Sequence, residues 1–275
     1  ILVVLSLSAI SAADTNDTVV ADDAGDSVLV VEDAMTGLPE DDCGVVSGGV
    51  DVVSVNPGPK TVNANDTSHS GELTYEIPVD AKEIKSAIVY VNVYTTNAKN
   101  ESGLCANTTL VTSDGAELLG SEVLWTPGGS TDGLIYVVND HTYKCYSDYQ
   151  ICYDVTDLLD GLNGTSVSLK VDTFRLASGV EDGNVTYYKF DGRIKLIALV
   201  VAYDDGDDDV INYWVNSGQA WSKKNTTTVF DTGVLENLTD AKLESIVLSS
   251  ADANYTINGQ EIAVVNHTTG IFNYQ

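Results

Sequence analysis

Apolar and polar residues alternate along this chain in short runs with a period of two. In the clearest run Val89, Val91 and Val93 alternate with Tyr90, Asn92 and Tyr94, which puts an aliphatic stripe on one face of a strand and a mixed aromatic and polar stripe on the other. That pattern predicts a half-buried antiparallel strand. Similar runs predict strands over 72–77, 104–112, 134–138, 166–174, 193–203, 210–215, 242–248 and 261–265, separated by clusters of Gly, Asn and Asp that suit turns. Only 154–159, with Asp154 at the N-cap position, predicts a turn or so of helix. Many strands with so little helix predict an all-β protein, an antiparallel β-sandwich or jelly roll.

An internal echo refines this expectation. Asp80-Ala81-Lys82-Glu83-Ile84-Lys85-Ser86-Ala87-Ile88-Val89 is mirrored by Asp240-Ala241-Lys242-Leu243-Glu244-Ser245-Ile246-Val247, and each is followed by a hairpin-like turn, Asp114-Gly115 and Asn258-Gly259. Such pairs tolerate the positive φ of tight hairpins. Two tandem related units are therefore expected, 45–204 and 205–275, the second reaching its turn and stopping, incomplete, at Gln275.

Charge separates the region before these strands. Residues 14–51 hold eleven Asp or Glu, and the first basic residue is Lys60, so 14–44 reads as an acidic flexible tail; within it the apolar Val28 to Val31 could add as a strand. The whole chain, at a net charge of -28 with 13 Lys and Arg, repels phosphate and excludes nucleic-acid binding on electrostatic grounds. Residues 1–13 form an apolar run closing on small residues, with Ser11 and Ala13 placed for cleavage before Asp14. That segment reads as a signal-peptide remnant and predicts an extracellular, cell-surface protein. No other apolar stretch approaches the roughly 20 residues that a membrane-spanning helix needs.

Ten Asn-x-Ser/Thr triplets start at Asn16, Asn65, Asn100, Asn107, Asn163, Asn184, Asn225, Asn237, Asn254 and Asn266. Chance placement of 19 Asn among 48 Ser and Thr would give about three. N-glycosylation of an exported surface accounts for the excess. Export also favours disulfides, and the short separation of Cys145 and Cys152 makes them the expected bridge, leaving Cys43 to pair with Cys105. A zinc site from His141, Cys145 and Cys152 is the alternative use of these residues, with a spacing that matches no standard pattern.

Catalytic signatures are missing from the sequence. It has no Gly-x-Ser-x-Gly elbow and no His-Glu-x-x-His, and with 41 Asp and Glu some carboxylate pair falls at glycosidase separation by chance. Two binding cues stand out instead. Asp204-Asp205-Gly206-Asp207-Asp208-Asp209 concentrates five carboxylates in one turn, which is either a solvated acidic turn or a Ca²⁺ site built from Asp205, Asp207 and Asp209. Tyr149, Trp214 and Trp221 lie among Asn, Ser and Gln, the mixture of aromatic and amide groups that carbohydrate-binding faces use, although core packing would also account for them.

Three segments taken together, Tyr149-Gln150-Ile151-Cys152-Tyr153-Asp154-Val155, Phe190-Asp191-Gly192-Arg193-Ile194 and Tyr213-Trp214-Val215-Asn216-Ser217-Gly218-Gln219-Ala220-Trp221, resemble the adhesin-like surface proteins of methanogenic archaea. Those proteins carry a domain of unknown function, and the resemblance covers about 45–275. It implies surface display, glycosylation and a β-sandwich, and supplies no catalytic residues. The sequence thus predicts a non-enzymatic, glycosylated surface protein that acts in adhesion or in the outer envelope, with other surface proteins or glycans as partners. Two alternatives stand beside it: a self-assembling subunit whose N-terminal segment is donated to a neighbour's sheet, giving a homopolymer, and a carbohydrate- or calcium-binding surface module.

Overall fold

The computed structural model describes residues 2–10, 40–58, 62–63, 65–97, 99–129, 135–219, 228–233, 235, 238–248, 253–257, 260–265 and 269–274. In chain order the strands are β1 (Leu2–Ile10), β2 (Glu40–Val46), β3 (Gly49–Val55), β4 (Ser68–Glu76), β5 (Glu83–Tyr94), β6 (Ser102–Thr112), β7 (Gly115–Thr126), β8 (Ile135–Asn139), β9 (Thr142–Cys145) and β10 (Asp148–Asp154). After the short helix α1 (Thr156–Leu159) come β11 (Ser166–Arg175), β12 (Ala177–Glu181), β13 (Asn184–Tyr187), β14 (Arg193–Asp204), β15 (Asp209–Ser217), β16 (Leu238–Leu248), β17 (Ala253–Ile257), β18 (Gln260–Val265) and β19 (Thr269–Tyr274). The protein is all-β, as its alternation predicts, and the expected strands coincide with β4, β6, β8, β11, β14, β15, β16 and β18.

These strands form a first sheet β4-β11-β6-β7, a second β3-β14-β5-β10-β9-β8 and a third β19-β16-β1-β15-β2, with two-stranded ribbons β12-β13 and β17-β18. Two apolar clusters show how the sheets stack. One joins Leu73 and Tyr75, Leu104 and Leu110, and Val167, Leu169 and Val171 of the first sheet to Val89, Val91, Ile151, Ile197, Leu199 and Val201 of the second. The other joins Tyr90, Leu196, Ala198, Val200 and Ala202 of the second sheet to Val46, Tyr213, Val215 and Ile246 of the third. The second sheet is therefore the middle of three layers.

This placement explains the unbroken apolar run of β14. A strand covered on both faces loses its polar alternation, and odd positions of β14 from Ile197 serve the first cluster while even positions from Leu196 serve the second. A bulge between Ile194 and Leu196 shifts this phase, so Ile194 joins the first cluster and Lys195 reaches the Asp148 carboxylate at 2.7 Å. The half-buried strand expected at 89–94 is corrected for the same reason: the Tyr90 ring is fully buried beneath the third sheet and Asn92 is buried as well.

Smaller departures follow from local chemistry. Helix α1 has Val155, not Asp154, at its N-cap; Asp154 Oδ1 instead accepts the Thr156 amide at 2.9 Å and the Thr156 hydroxyl at 2.6 Å from one residue earlier. The expected acidic tail gives way to strand at Glu40, because β2 pairs with β15. The apolar leader segment is strand β1, hydrogen-bonded between β15 and β16. Residues Val28 to Val31 and the turn Asn258-Gly259 lie outside the described residues.

Candidate functional site

The acidic turn between β14 and β15 is held by its own carboxylates. Asp204 Oδ1 accepts the Ser47 amide at 2.8 Å, and Asp204 Oδ2 lies 3.3 Å from Lys85 Nζ, which also pairs with Glu83 at 2.8 Å. Burial pulls the Asp204 pKa up, and Ser47 with Lys85 outweigh that, leaving it below the ordinary carboxylate value. Next along the turn, Asp205 Oδ1 accepts the Asp207 amide at 3.0 Å and Asp207 Oδ1 accepts the Asp209 amide at 2.9 Å. Gly206 stands between them at φ +80, a conformation that L side chains rarely adopt. The Asp209 pKa rises to about 6, through desolvation first and then through the hydrogen bond and charge of Asp207 and the charge of Asp205.

This geometry does not make Asp205, Asp207 and Asp209 a Ca²⁺ cage. One oxygen of Asp205 and one of Asp207 are taken up by main-chain amides, and among the described residues no three His, Cys, Asp or Glu side chains form a group that could hold a metal ion.

The expected disulfides are likewise absent: no disulfide joins any of the four cysteines. Register gives the reason. On the β9–β10 hairpin Cys145 lies opposite Asp148, whereas the Cys152 amide bonds to the His141 carbonyl at 2.9 Å, four positions further along the ladder. Four strand positions span about 13 Å, well beyond the roughly 7 Å that a disulfide's Cα atoms can span. Cys43 on β2 and Cys105 on β6 belong to the two outer sheets, with the middle sheet between them. Burial, followed by the nearby Asp41 charge, pushes the Cys152 thiol up to about 12, which keeps it protonated and chemically inert. The His141 ring is also engaged elsewhere, 2.7 Å from Glu122 Oε1 and 2.6 Å from Asp140 Oδ1.

Two of the three candidate sugar-binding aromatics are core residues. Tyr149 is 1% exposed, its hydroxyl donates to the Trp125 carbonyl, and Lys144 Nζ lies 5.1 Å over its ring. Trp214 is 8% exposed, and Trp221 lies outside the described residues. Among the described residues the exposed rings are others, Trp125, Phe174 and Tyr187. Cys105 is opposite both Phe174 and Val123, so these two apolar residues, both exposed, lie in one row on the outer face of the first sheet. Sequence reading missed this row because Val123-Leu124-Trp125 is apolar without interruption, and alternation cannot say which members face water.

Four of the ten sequon asparagines are exposed among the described residues. Asn65 and Asn163 are exposed in connections, Asn100 is exposed in the turn before β6, and Asn184 is exposed at the start of β13. Asn107 is half-buried on β6, where its side-chain oxygen accepts from the Cys105 thiol at 3.3 Å. Asn254 is placed on β17 by its backbone alone, and Asn16, Asn225, Asn237 and Asn266 lie outside the described residues.

A protein-family model described as "Protein of unknown function (DUF3344)" matches residues 38–275. No curated protein sequence matches the chain. Among solved structures, the chain is similar to VP2 of infectious bursal disease virus in its subviral particle, at 13% identity over 78% of this chain and 56% of that one, with a TM-score of 0.29. It is also similar to a chain from the Gx strain of the same virus, at 12% identity over 78% of this chain and 55% of that one, with a TM-score of 0.27. The match spans little more than half the length of those viral chains.

Proposed function

We propose that this chain, which belongs to the DUF3344 family of proteins of unknown function, is a non-enzymatic, N-glycosylated cell-surface protein acting in adhesion or as a component of the outer envelope. The observation that carries this reading is the exposure of the sequon asparagines Asn65, Asn100, Asn163 and Asn184 on connections and hairpin ends. A glycosyl transferase needs an acceptor amide it can reach, and these positions offer one without unfolding a strand interior, Asn163 once its side-chain amide leaves the Val79 carbonyl, to which it donates at 3.3 Å. The surplus of sequons over chance and the leader-like first residues support export in the same direction.

Peptide mass spectrometry of the protein purified from its own cells tests the reading. Glycan mass on peptides containing Asn65, Asn100, Asn163 or Asn184, lost one site at a time in Asn→Gln variants, is the expected result. Unmodified asparagine at all four, in protein recovered from the cytoplasmic fraction, would overturn it.

A further inference from the structure

The outer face of the first sheet carries an apolar row with a sequon beside it. Phe174 is 43% exposed and Val123 is 62% exposed, with the half-buried Cys105 of β6 between them. The next row on that face is Asp172, Asn107 and Ser121, two residues further along each strand and about 7 Å away. Leu104, Ala106 and Leu110 of β6 point into the first apolar cluster, so Cys105, Asn107 and Thr109 face outward together. Asn107 and Thr109 are the acceptor and the hydroxyl residue of the sequon Asn107-Thr108-Thr109.

The Asn107 side chain already has a direction. Its Oδ1 accepts from the Cys105 thiol at 3.3 Å, and the same sulfur lies 3.2 Å from the Ser121 hydroxyl. Among the described residues no hydrogen bond engages the Asn107 amide nitrogen or the Thr109 hydroxyl. An N-linked side-chain amide is planar and trans like a peptide unit, which puts the first sugar carbon on the same side of the C–N bond as the carbonyl oxygen. Because that oxygen points to Cys105, a sugar on the nitrogen is directed toward the Cys105 row. A pyranose has an apolar face of C–H groups, and Phe174 and Val123 offer it a ring and an isopropyl group to cover.

We infer that Asn107 is a glycosylation site whose saccharide lies down on Phe174 and Val123 and covers the apolar row of the outer face. This step rests on the glycoprotein reading above and gives one sequon a separate role, packing against the fold. Strand β6 is paired with β11 on one side and β7 on the other, so transfer to Asn107 precedes closure of the sheet. The competing occupant of the row is a second copy of this chain, whose approach a net charge of -28 on each copy opposes.

The test uses the full chain purified from its own cells beside the same chain produced without glycosylation. Peptide mass spectrometry is expected to find glycan on the peptide containing Asn107. Phe174→Ala is expected to lower the melting temperature of the glycosylated protein by roughly 2–4 °C more than it lowers that of the unglycosylated chain or of Asn107→Gln. Proton NMR gives a readout that a folding defect does not imitate: sugar protons held over the Phe174 ring are shifted upfield, and return to ordinary positions in Phe174→Ala. Glycan on Asn65, Asn100, Asn163 or Asn184 with Asn107 bare would overturn the inference and leave the glycoprotein reading standing. Glycan on Asn107 with unshifted sugar protons and no dependence on Phe174 would overturn it as well, because the sugar then stands in solvent. A dimer that Phe174→Ala dissociates would assign the row to a second copy instead. Bare asparagine at every sequon would remove both readings.

Discussion

The Tyr75 hydroxyl donates to Asp51 Oδ2 at 2.7 Å, a bond that crosses from β4 of the first sheet to β3 of the middle one. Tyr75 is 6% exposed, and burial followed by the Asp51 hydrogen bond raises its phenol pKa, so the group stays a donor at every ordinary pH. Tyr75→Phe keeps the ring packing and removes only the bond. A hydrogen bond to a charged partner contributes about 1.5–3 kcal/mol, and the partly exposed Asp51 recovers some of that from water. The expected loss is about 1–2 kcal/mol in urea unfolding, with Asp51→Ala adding little once Tyr75 is already Phe.

Leu196 and Leu199 test the three-layer arrangement directly. They are close neighbours on β14 but belong to different clusters, Leu196 toward the third sheet and Leu199 toward the first. Replacing either with Ala is expected to cost about 2–5 kcal/mol, because each leaves a cavity in a packed interface. A two-layer sandwich would leave Leu196 on a solvent face, where the same change would cost about 0.5 kcal/mol or less. Equal large losses for the two variants support the third layer; a near-neutral Leu196→Ala removes it.

The same pair shows what the sequence could and could not tell. Period-two alternation in 89–94 identified a strand and its aliphatic face, yet Tyr90 and Asn92 look like solvent-facing residues until a third sheet is known to lie over them. The apolar run of β14 was visible, but the phase shift at Lys195 depends on a bulge set by its pairing with β5. The acidic turn was legible as a turn; that Asp205 and Asp207 cap the Asp207 and Asp209 amides is a matter of main-chain geometry that composition does not carry. Cysteine spacing failed for a similar reason. Cys145 and Cys152 are seven residues apart in sequence, and a tight hairpin at 146–147 turns that short separation into a long one.

His141 sets a pH dependence of defined sign. Burial lowers its pKa, but hydrogen bonds that the ring donates to Glu122 and Asp140, at 2.7 and 2.6 Å, outweigh burial and raise it above the ordinary value. A histidine raised in the folded state contributes stability in full below its unfolded value of about 6.5, and loses that contribution as pH rises through the folded value. The melting temperature of the native chain is therefore expected to fall from slightly acid to slightly alkaline pH by more than that of His141→Gln. Parallel profiles for the two proteins would show that the ring carries no charge-dependent pairing. Imidazole NMR titration gives the folded value independently.

Asp209 has the opposite chemistry and a different window. Desolvation, then the hydrogen bond and charge of Asp207 and the charge of Asp205, lift its pKa from 3.8 to about 6. A carboxyl raised in the folded state holds its proton more tightly there than in the unfolded chain, so stability falls as pH climbs from 3.8 to about 6 and is level above it. Asp209→Asn keeps the shape and the capacity to hydrogen-bond with Asp207 while removing the charge, so its unfolding midpoint is expected to exceed that of the native chain at pH 7 and to match it near pH 4. Other carboxylates titrate in the same range, and only the difference between the two proteins isolates the turn. An identical drift in both would mean that water already screens Asp207 from Asp209. Asp207→Asn provides the second arm: it relieves the same repulsion from the other side, and combined with Asp209→Asn it should add little, because one neutral partner is enough to remove the like-charge contact.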